Sequence, residues 1–380
     1  MTEASDRELI WAHSGDSHFL EPKDLWRQIL PPSQADRMPR SERVGDDEII
    51  QVDGQSFRRR MPKIFTKKGA DGLTISELSF RPPGSRDAKA RLGDLDQEGV
   101  WGEVVYASLG LWSSMIKDPE LVREASRAEN EWIASEIQGA DPNRLVPAAQ
   151  LSLLSVEDAV TELEHARAVG LHAANLPTGV PARVDDYHRD TWDPLWSAAE
   201  ETGMVLCFHI GTDGNDQASL YSGPGGAVMN YVETTFSGQR VALKLVTSGA
   251  LDRHPRLKVL ISEGGASWVP FLGDRMNEGY RQHGMFVRPK LSRSPKEILY
   301  DQIYTSFQHD ASAIGAMTSE GYQNLMWGSD YPHLEGTFGH TQETLHELFD
   351  PVDEAIRYRI TQGAFLDLFP HVGPVPASVS

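Results

Sequence analysis

Short apolar or β-branched runs alternate along the chain with longer stretches in which apolar residues recur at helical spacing. The runs that suit buried strands are Ile10–His18, Val104–Leu109, Leu145–Leu151, His172–Leu176, Val205–His209, Leu257–Glu263, Gln302–Phe307 and Leu325–Gly328. Helices are predicted over Asp87–Gly99, Pro119–Gly139, Ser155–Gly170, Thr191–Gly203, Gly226–Leu251 and Trp268–His283. Shorter ones follow near Ala311–Gly321, Thr341–Phe349 and Val352–Phe369. Ser155 precedes Glu157 and Asp158, which suit the positive end of a helix, and Gly170 and Gly203 stand where a left-handed terminating residue is expected. Eight strands alternating with helices predict an α/β protein with a parallel sheet closed into a (β/α)8 TIM barrel.

The stretch from Arg27 to Arg86 breaks this rhythm. It carries LPPSQADRMPR and RPPGSR without a sustained period, apart from a short hairpin expected at Glu48–Val52 and Gln55–Arg59 around Asp53-Gly54. An insertion after a barrel strand falls on the catalytic face, where it can serve as a lid or an oligomer contact. The segment Arg37–Arg91 holds 13 of the chain's 36 basic residues, a local excess that suits an acidic partner surface or an anionic substrate. The whole of residues 1–380 is therefore expected to form one barrel domain with an insertion at about 27–86.

Composition narrows the function. The 380 residues carry 36 basic and 55 acidic side chains, a net charge of −19, whose field repels nucleic acid and anionic membrane. A small-molecule substrate is the expected partner. No apolar leader opens the chain, and no apolar run approaches the roughly 18 residues of a membrane span. The single cysteine, Cys207, cannot form an internal disulfide, which suits the reducing cytoplasm. Neither G-x-G-x-x-G after the first strand nor a Walker loop is present.

The candidate chemistry lies at strand ends. The first strand closes in Asp16-Ser17-His18, whose alternation puts both functional side chains on one face. The fifth ends in His209, the sixth in Glu263 before two glycines, and the eighth leads into Asp330 and then His333. In a closed barrel, Asp16, His18, His209, Glu263 and Asp330 converge at one mouth. Two imidazoles with three carboxylates make a divalent-metal site more naturally than a metal-free core. His309, after the seventh strand, faces the same mouth as a general acid, a positioning group or a further ligand. His333 and Trp112 are placed to contact substrate. Glu21 reads as a partner for a cation or a cap, and Cys207 as small core packing.

These segments resemble the amidohydrolase superfamily: D-x-H-x-x-E-P at Asp16–Pro22, the strand-five histidine, S-E-G-G-x-x-W at Ser262–Trp268 and W-G-S-D-Y-P-H at Trp327–His333. The likeness spans about residues 12–370. It is nearest the branch of aminocarboxymuconate-semialdehyde, resorcylate and carboxyvanillate decarboxylases. The resemblance implies that Asp16, His18, His209 and Asp330 bind metal, with Asp330 also serving metal-bound water. It differs from the family pattern in opening strand one with Asp and in placing Glu263 where many members carry a histidine. Of three roles for Glu263, a bridge to a second ion, an acid/base and a salt-bridge partner, the metal-linked one is favoured over a free general base, because the site already holds the carboxylates of Asp16 and Asp330.

The expected activity is a metal-dependent hydrolase or non-oxidative decarboxylase for a small, aromatic or carboxylated compound. The expected cofactor is Zn²⁺, Mn²⁺ or Fe²⁺, one or two per chain, with carboxylate-rich ligation leaning toward Mn²⁺ or Fe²⁺. The alternatives are a dinuclear Fe/Mn oxygenase on the same barrel, or a silent subunit beside an active paralogue. A homodimer or higher oligomer is expected.

Overall fold

A computed structural model describes residues 8–22, 24–45, 47–60, 82–107, 115–212, 220–333 and 335–377. Its strands, in chain order, are β1 (Ala12–Ser14), β2 (His18–Phe19), β3 (Arg40–Val44), β4 (Asp47–Val52), β5 (Gln55–Arg60) and β6 (Val100–Ala107). They continue as β7 (Leu145–Gln150), β8 (Ala173–Pro177), β9 (Val205–His209), β10 (Val259–Ser262), β11 (Ile303–Phe307) and β12 (Leu325–Trp327). The parallel sheet runs β1-β6-β7-β8-β9-β10-β11-β12, with β2 continuing the first staff beside β6. Its ends meet: the Gly15 amide donates to the Trp327 carbonyl at 2.9 Å, and Ser17 bridges Tyr331. The fold is a (β/α)8 barrel, as the alternation predicts.

Two apolar layers follow from the two-residue period of the strands. Val104, Tyr106, Val146, Ala148, Ala173, Val205, Cys207, Leu260, Tyr304 and Met326 face the lumen, which Phe365, Leu368 and Phe369 plug from below. The opposite faces, such as Leu145, Leu206 and Ile261, pack against the helices.

The departures from the sequence reading have local causes. The first strand is broken, because Gly15-Asp16-Ser17 leaves the ladder between β1 and β2 and the Asp16 carbonyl accepts from Ser14 Oγ at 2.7 Å. Strand β6 begins at Val100, four residues early. Gly99 ends the preceding helix Ala88–Glu98 at φ 72°, and the polar Glu103 is tolerated inside because Arg91 pairs with it. The predicted helix over Gly226–Leu251 stops at Thr247 and resumes at Ala250, past Gly249 at φ 78°. The predicted Val352–Phe369 helix is interrupted by a π turn at Arg359–Gly363. The helix Pro295–Gln302 was missed, although S-P-x-E announces it: Ser294 and Glu297 form a reciprocal capping box with Pro295 at the first position.

In the insertion, β3, β4 and β5 form an antiparallel sheet, one strand more than the hairpin read from the sequence, with the β4–β5 turn at Asp53 (φ 44°) and Gly54 (φ 74°). Trp26, Leu30, Met38 and Val52 pack against Leu121, Val122 and Ala125 of the helix Pro119–Glu136. Three of the insertion's described arginines form ion pairs: Arg27 with Asp36, Arg37 with Asp53 and with Asp118 beyond the insertion, and Arg58 with Asp47.

Candidate metal centre

The candidate ligands are delivered by the C-terminal ends of four barrel staves. Asp16 lies in the break after β1, and its carbonyl accepts from the Asp330 amide at 3.0 Å. His18 opens β2; its amide donates to the Tyr331 carbonyl at 2.6 Å, and its carbonyl accepts from Arg91 Nη1 at 2.9 Å. His209 is the last residue of β9. Its Nδ1 lies 2.7 Å from the Ile210 carbonyl, an acceptor, so the proton sits on Nδ1 and Nε2 faces the cluster. Glu263 follows β10 directly, its amide donating to Ser306 Oγ at 2.9 Å. Asp330 stands three residues past β12.

Glu263 and Asp330 have φ of 61° and 53°, two of the three left-handed non-glycine residues among those described. Such backbone is costly for a side-chain-bearing residue and is held only where the surroundings fix it. Glycine makes the seam possible: a Cβ on Gly328 would meet Asp16 Cβ at 2.9 Å, and one on Gly336 would meet the carbonyls of Ser329 and Asp330 at 2.7 Å.

The side chains converge. His18 Nε2 lies 3.7 Å from Asp16 Oδ1 and 3.3 Å from Asp330 Oδ1; His209 Nε2 lies 3.3 Å from Asp16 Oδ1 and 3.6 Å from Glu263 Oε2. His333 Nδ1 reaches Asp330 Oδ1 at 2.7 Å. Two overlapping groups, Asp16–His18–His209 and His18–Asp330–His333, each keep one potential ligand atom per residue within 4.8 Å of the others. All but His333 are buried.

The electrostatics of this grouping follow from its burial. Burial opposes a charged imidazole at His209, yet the Asp16 carboxylate beside it lifts its pKa to about 10. Burial carries Glu263 up to about 8 against the pull of His209. Asp330 moves the other way: burial opposes its ionisation, but the His18 imidazole at 3.3 Å and the hydrogen-bonded His333 hold its carboxyl well below the usual range. Burial keeps His18 neutral. Both oxygens of Asp16, both nitrogens of His18, His209 Nε2 and Asp330 Oδ2 are buried without a hydrogen-bond partner. Buried orphans of this number are expensive unless something else binds them. Neutral imidazole nitrogens and carboxylate oxygens facing one point are the donor set of a divalent cation, whose binding would displace the protons held at His209 and Glu263. The residues present fit such an ion.

The remaining candidates are placed differently. His333 is half-buried at the rim, its ring tilted by 31° against that of His18 with centroids 4.0 Å apart. His309 stands apart: it is exposed, its Nε2 3.3 Å from the Glu335 carbonyl, and it joins none of the ligand groups among the described residues. Trp112 lies outside the described residues. Glu21 is buried, and its carbonyl accepts from Arg86 at 2.8 Å. Cys207 is sealed in the lumen, and burial pushes its thiol up to about 12, which keeps it protonated.

Sequence reasoning passed over Tyr106 and Arg91. Tyr106 is lumen-facing by the alternation of β6, its hydroxyl 2.5 Å from Ser262 Oγ and its ring 5.0 Å from that of His209. Arg91 pairs with Glu103, holds the His18 carbonyl and lies 4.4 Å from the Tyr331 ring, so it braces both sides of the barrel seam. Alternation could have found Tyr106; nothing local announces Arg91.

Residues 103–367, more than half of the chain, match the family model described as amidohydrolase. The chain belongs to the amidohydrolase family. Among similar proteins, the decarboxylase yanB of Aspergillus niger is 24% identical over 262 residues, 62% of this chain and 66% of that protein. The chain thus aligns with slightly under two thirds of that relative's length. An amidohydrolase from Mycobacterium avium subsp. paratuberculosis K-10 superposes at a TM-score of 0.78 with 18% identity, covering 95% of this chain and 100% of the other. The 5-carboxyvanillate decarboxylase of Novosphingobium aromaticivorans DSM 12444, solved as a mutant with bound manganese and a nitrobenzoic acid, superposes at 0.66 with 14% identity, covering 95% and 97%. These superpositions identify the fold.

Proposed function

We propose that the protein is a metal-dependent decarboxylase of a small carboxylic acid. The observation that carries this reading is the buried, unpaired donor set of Asp16, His18, His209 and Asp330 at the mouth of an amidohydrolase barrel. Decarboxylase yanB and the carboxyvanillate enzyme favour decarboxylation over hydrolysis. Those four residues, two carboxylates and two imidazoles, would hold the ion, and the manganese of the Novosphingobium structure makes Mn²⁺ the first candidate. When bound, the ion supplies positive charge that orients and polarises oxygen atoms of the substrate.

The chain's own residues supply the rest. Loss of CO2 leaves a carbon that must take up one proton. Glu263, beside His209 and accessible from the mouth, is the group placed to give that proton and recover it from solvent. His333, hydrogen-bonded to Asp330, anchors the rim against an incoming oxygen atom. His309, exposed on the rim and outside the ligand groups of the described residues, has no part in this step.

Release of CO2 from a panel of aromatic acids by Mn²⁺-loaded protein is the expected result. Full metal loading with no CO2 from any of them would sink the reading. A second reading, oxygen-dependent hydroxylation at a pair of metals, draws on one observation: Glu263, Asp330 and Glu335 also bring carboxylate oxygens within 4.8 Å of one another. Two irons per chain with substrate-dependent oxygen uptake would select it. We also propose that a second copy of this chain covers the exposed apolar side chains of the helix Gly226–Thr247, Val228, Met229, Tyr231, Val232 and Phe236. Light scattering at the mass of one chain would exclude that dimer.

A further inference from the structure

Beside the charged cluster the lumen wall carries two amides, each with a buried polar atom that has no hydrogen-bond partner among the described residues. Strands β7 and β8 pair in parallel with Gln150 opposite Asn175, and Asn175 is opposite Cys207 on β9, one pleat below His209. Ala148 and Ala173, two residues earlier on each strand, belong to the lumen layer, so Gln150 and Asn175 face the lumen as well. They are 6% and 4% exposed, and Gln150 Nε2 and Asn175 Oδ1 have no hydrogen-bond partner. Ser152, just beyond the end of β7, also buries an unpartnered hydroxyl.

Gln150 is held from behind. Its amide donates to Asn130 Oδ1 at 2.8 Å and its carbonyl accepts from Asn130 Nδ2 at 2.9 Å, while Asn130 Nδ2 also donates to Glu162 at 2.7 Å. The backbone needs are met by that one side chain, and the Gln150 amide head is left free. A buried amide atom without a partner is costly, so two on adjacent strands beside a ligand site call for a ligand.

The chemistry of the wall selects that ligand. A terminal amide offers donor and acceptor, and turning it over exchanges the two, so the pair matches a group that is itself both. The lumen faces of β6 to β10 carry no charged side chain other than the imidazole of His209, and neither Lys nor Arg. An anion buried there would have no counter-charge at that level.

We propose that Gln150 and Asn175 form a subsite for a neutral donor–acceptor substituent of the substrate, a hydroxyl or a carboxamide, and that they discriminate against a second carboxylate. The proposal rests on the reading of the mouth as a metal site for a carboxylic acid, and it adds what the far end of that acid must be.

Calorimetric titration of Mn²⁺-loaded protein tests it with benzoate and its meta and para hydroxy, carbamoyl and carboxy derivatives. In the wild type a hydroxy or carbamoyl acid should bind at least tenfold tighter than benzoate, about 1.4 kcal/mol, and the dicarboxylates no tighter than benzoate. Gln150→Leu and Asn175→Leu should erase the preference while leaving benzoate affinity unchanged. Gln150→Lys should instead gain affinity for a dicarboxylate, a result that damage to the fold cannot produce. Equal affinities across the wild-type series, tightest binding of a dicarboxylate, or a preference that survives both leucine variants would overturn the subsite alone. No binding of any acid, benzoate included, would overturn the subsite together with the reading it rests on.

Discussion

The barrel has three histidines gathered at each end, and their neighbours give them opposite chemistry. At the mouth, His18, His209 and His333 stand among Asp16, Glu263 and Asp330. At the floor, His13 stacks on Phe365 at 4.7 Å, and His172 stacks on His371 at 3.7 Å, with Arg144 and Arg167 as the nearby charges. The Asp16 carboxylate raises His209 to about 10, whereas burial and Arg144 hold His13 down to about 3. The mouth concentrates unpaired ligand atoms, which suits binding; the floor keeps neutral imidazoles as flat packing units, which suits stability. Residue type alone does not separate the two.

The largest expected effect that would break this contrast is at the mouth. His209→Ala should lower Mn²⁺ affinity by about a hundredfold or more and abolish CO2 release, with the circular dichroism spectrum unchanged. A variant that keeps full Mn²⁺ loading would remove His209 from the ligand set. Glu263→Gln comes next. It should keep one metal equivalent and slow turnover by about 10²–10⁴-fold, the range of a lost general acid. Loss of a metal equivalent would assign Glu263 to ligation instead, and unchanged metal and rate would reduce it to structure.

The floor should respond in the other currency. His13→Ala leaves a cavity against Phe365 and should cost on the order of 2–4 kcal/mol of stability by denaturant unfolding. Mn²⁺ affinity should stay within about twofold, because additivity holds for distant sites. A drop in metal affinity equal to that of His209→Ala would erase the distinction between the two ends.

How much of this was legible depends on whether a residue announces itself locally. Apolar runs closing in a histidine or a carboxylate mark the ends of β9 and β10 directly, so His209 and Glu263 were readable, as was Asp330 beyond β12. The period of the strands and helices also fixed the barrel. Asp16 and His18 were placed on one face by strand alternation, yet β1 breaks between them, and a second cause brings them together: the seam with Ser329 to Tyr331. Arg91 and the Gln150–Asn175 pair were not readable, because their meaning comes from which strands are neighbours. The amphipathic pattern does not encode that an arginine on the helix Ala88–Glu98 reaches the carbonyl of His18. The pairing of Arg37 with both Asp53 and Asp118 was invisible for the same reason.

The smallest effect is a slope. His13 and His172 have folded-state pKa values of about 3 and about 4, below the 6.5 of an unconstrained imidazole. Burial is the leading cause in both, followed by Arg144 for His13 and by His371 for His172. Above pH 6.5 neither form of the protein protonates them, and their contribution to stability is complete. As pH falls from 6.5 toward 4 the unfolded chain takes up protons that the folded one refuses, so stability is lost across that window. Glu263 at the mouth acts in the opposite sense in metal-free protein, since its raised value means that the folded state gains the proton first. The raw melting curve therefore mixes both ends, and the comparison must be made by difference. In EDTA, the melting temperature of His13→Phe should fall less between pH 6.5 and 4.5 than that of the wild type, because phenylalanine keeps the stacking on Phe365 and has no proton to bind. Parallel curves for the two proteins would show that His13 is not held neutral by the floor, and the contrast between the two ends would then rest on the mouth alone.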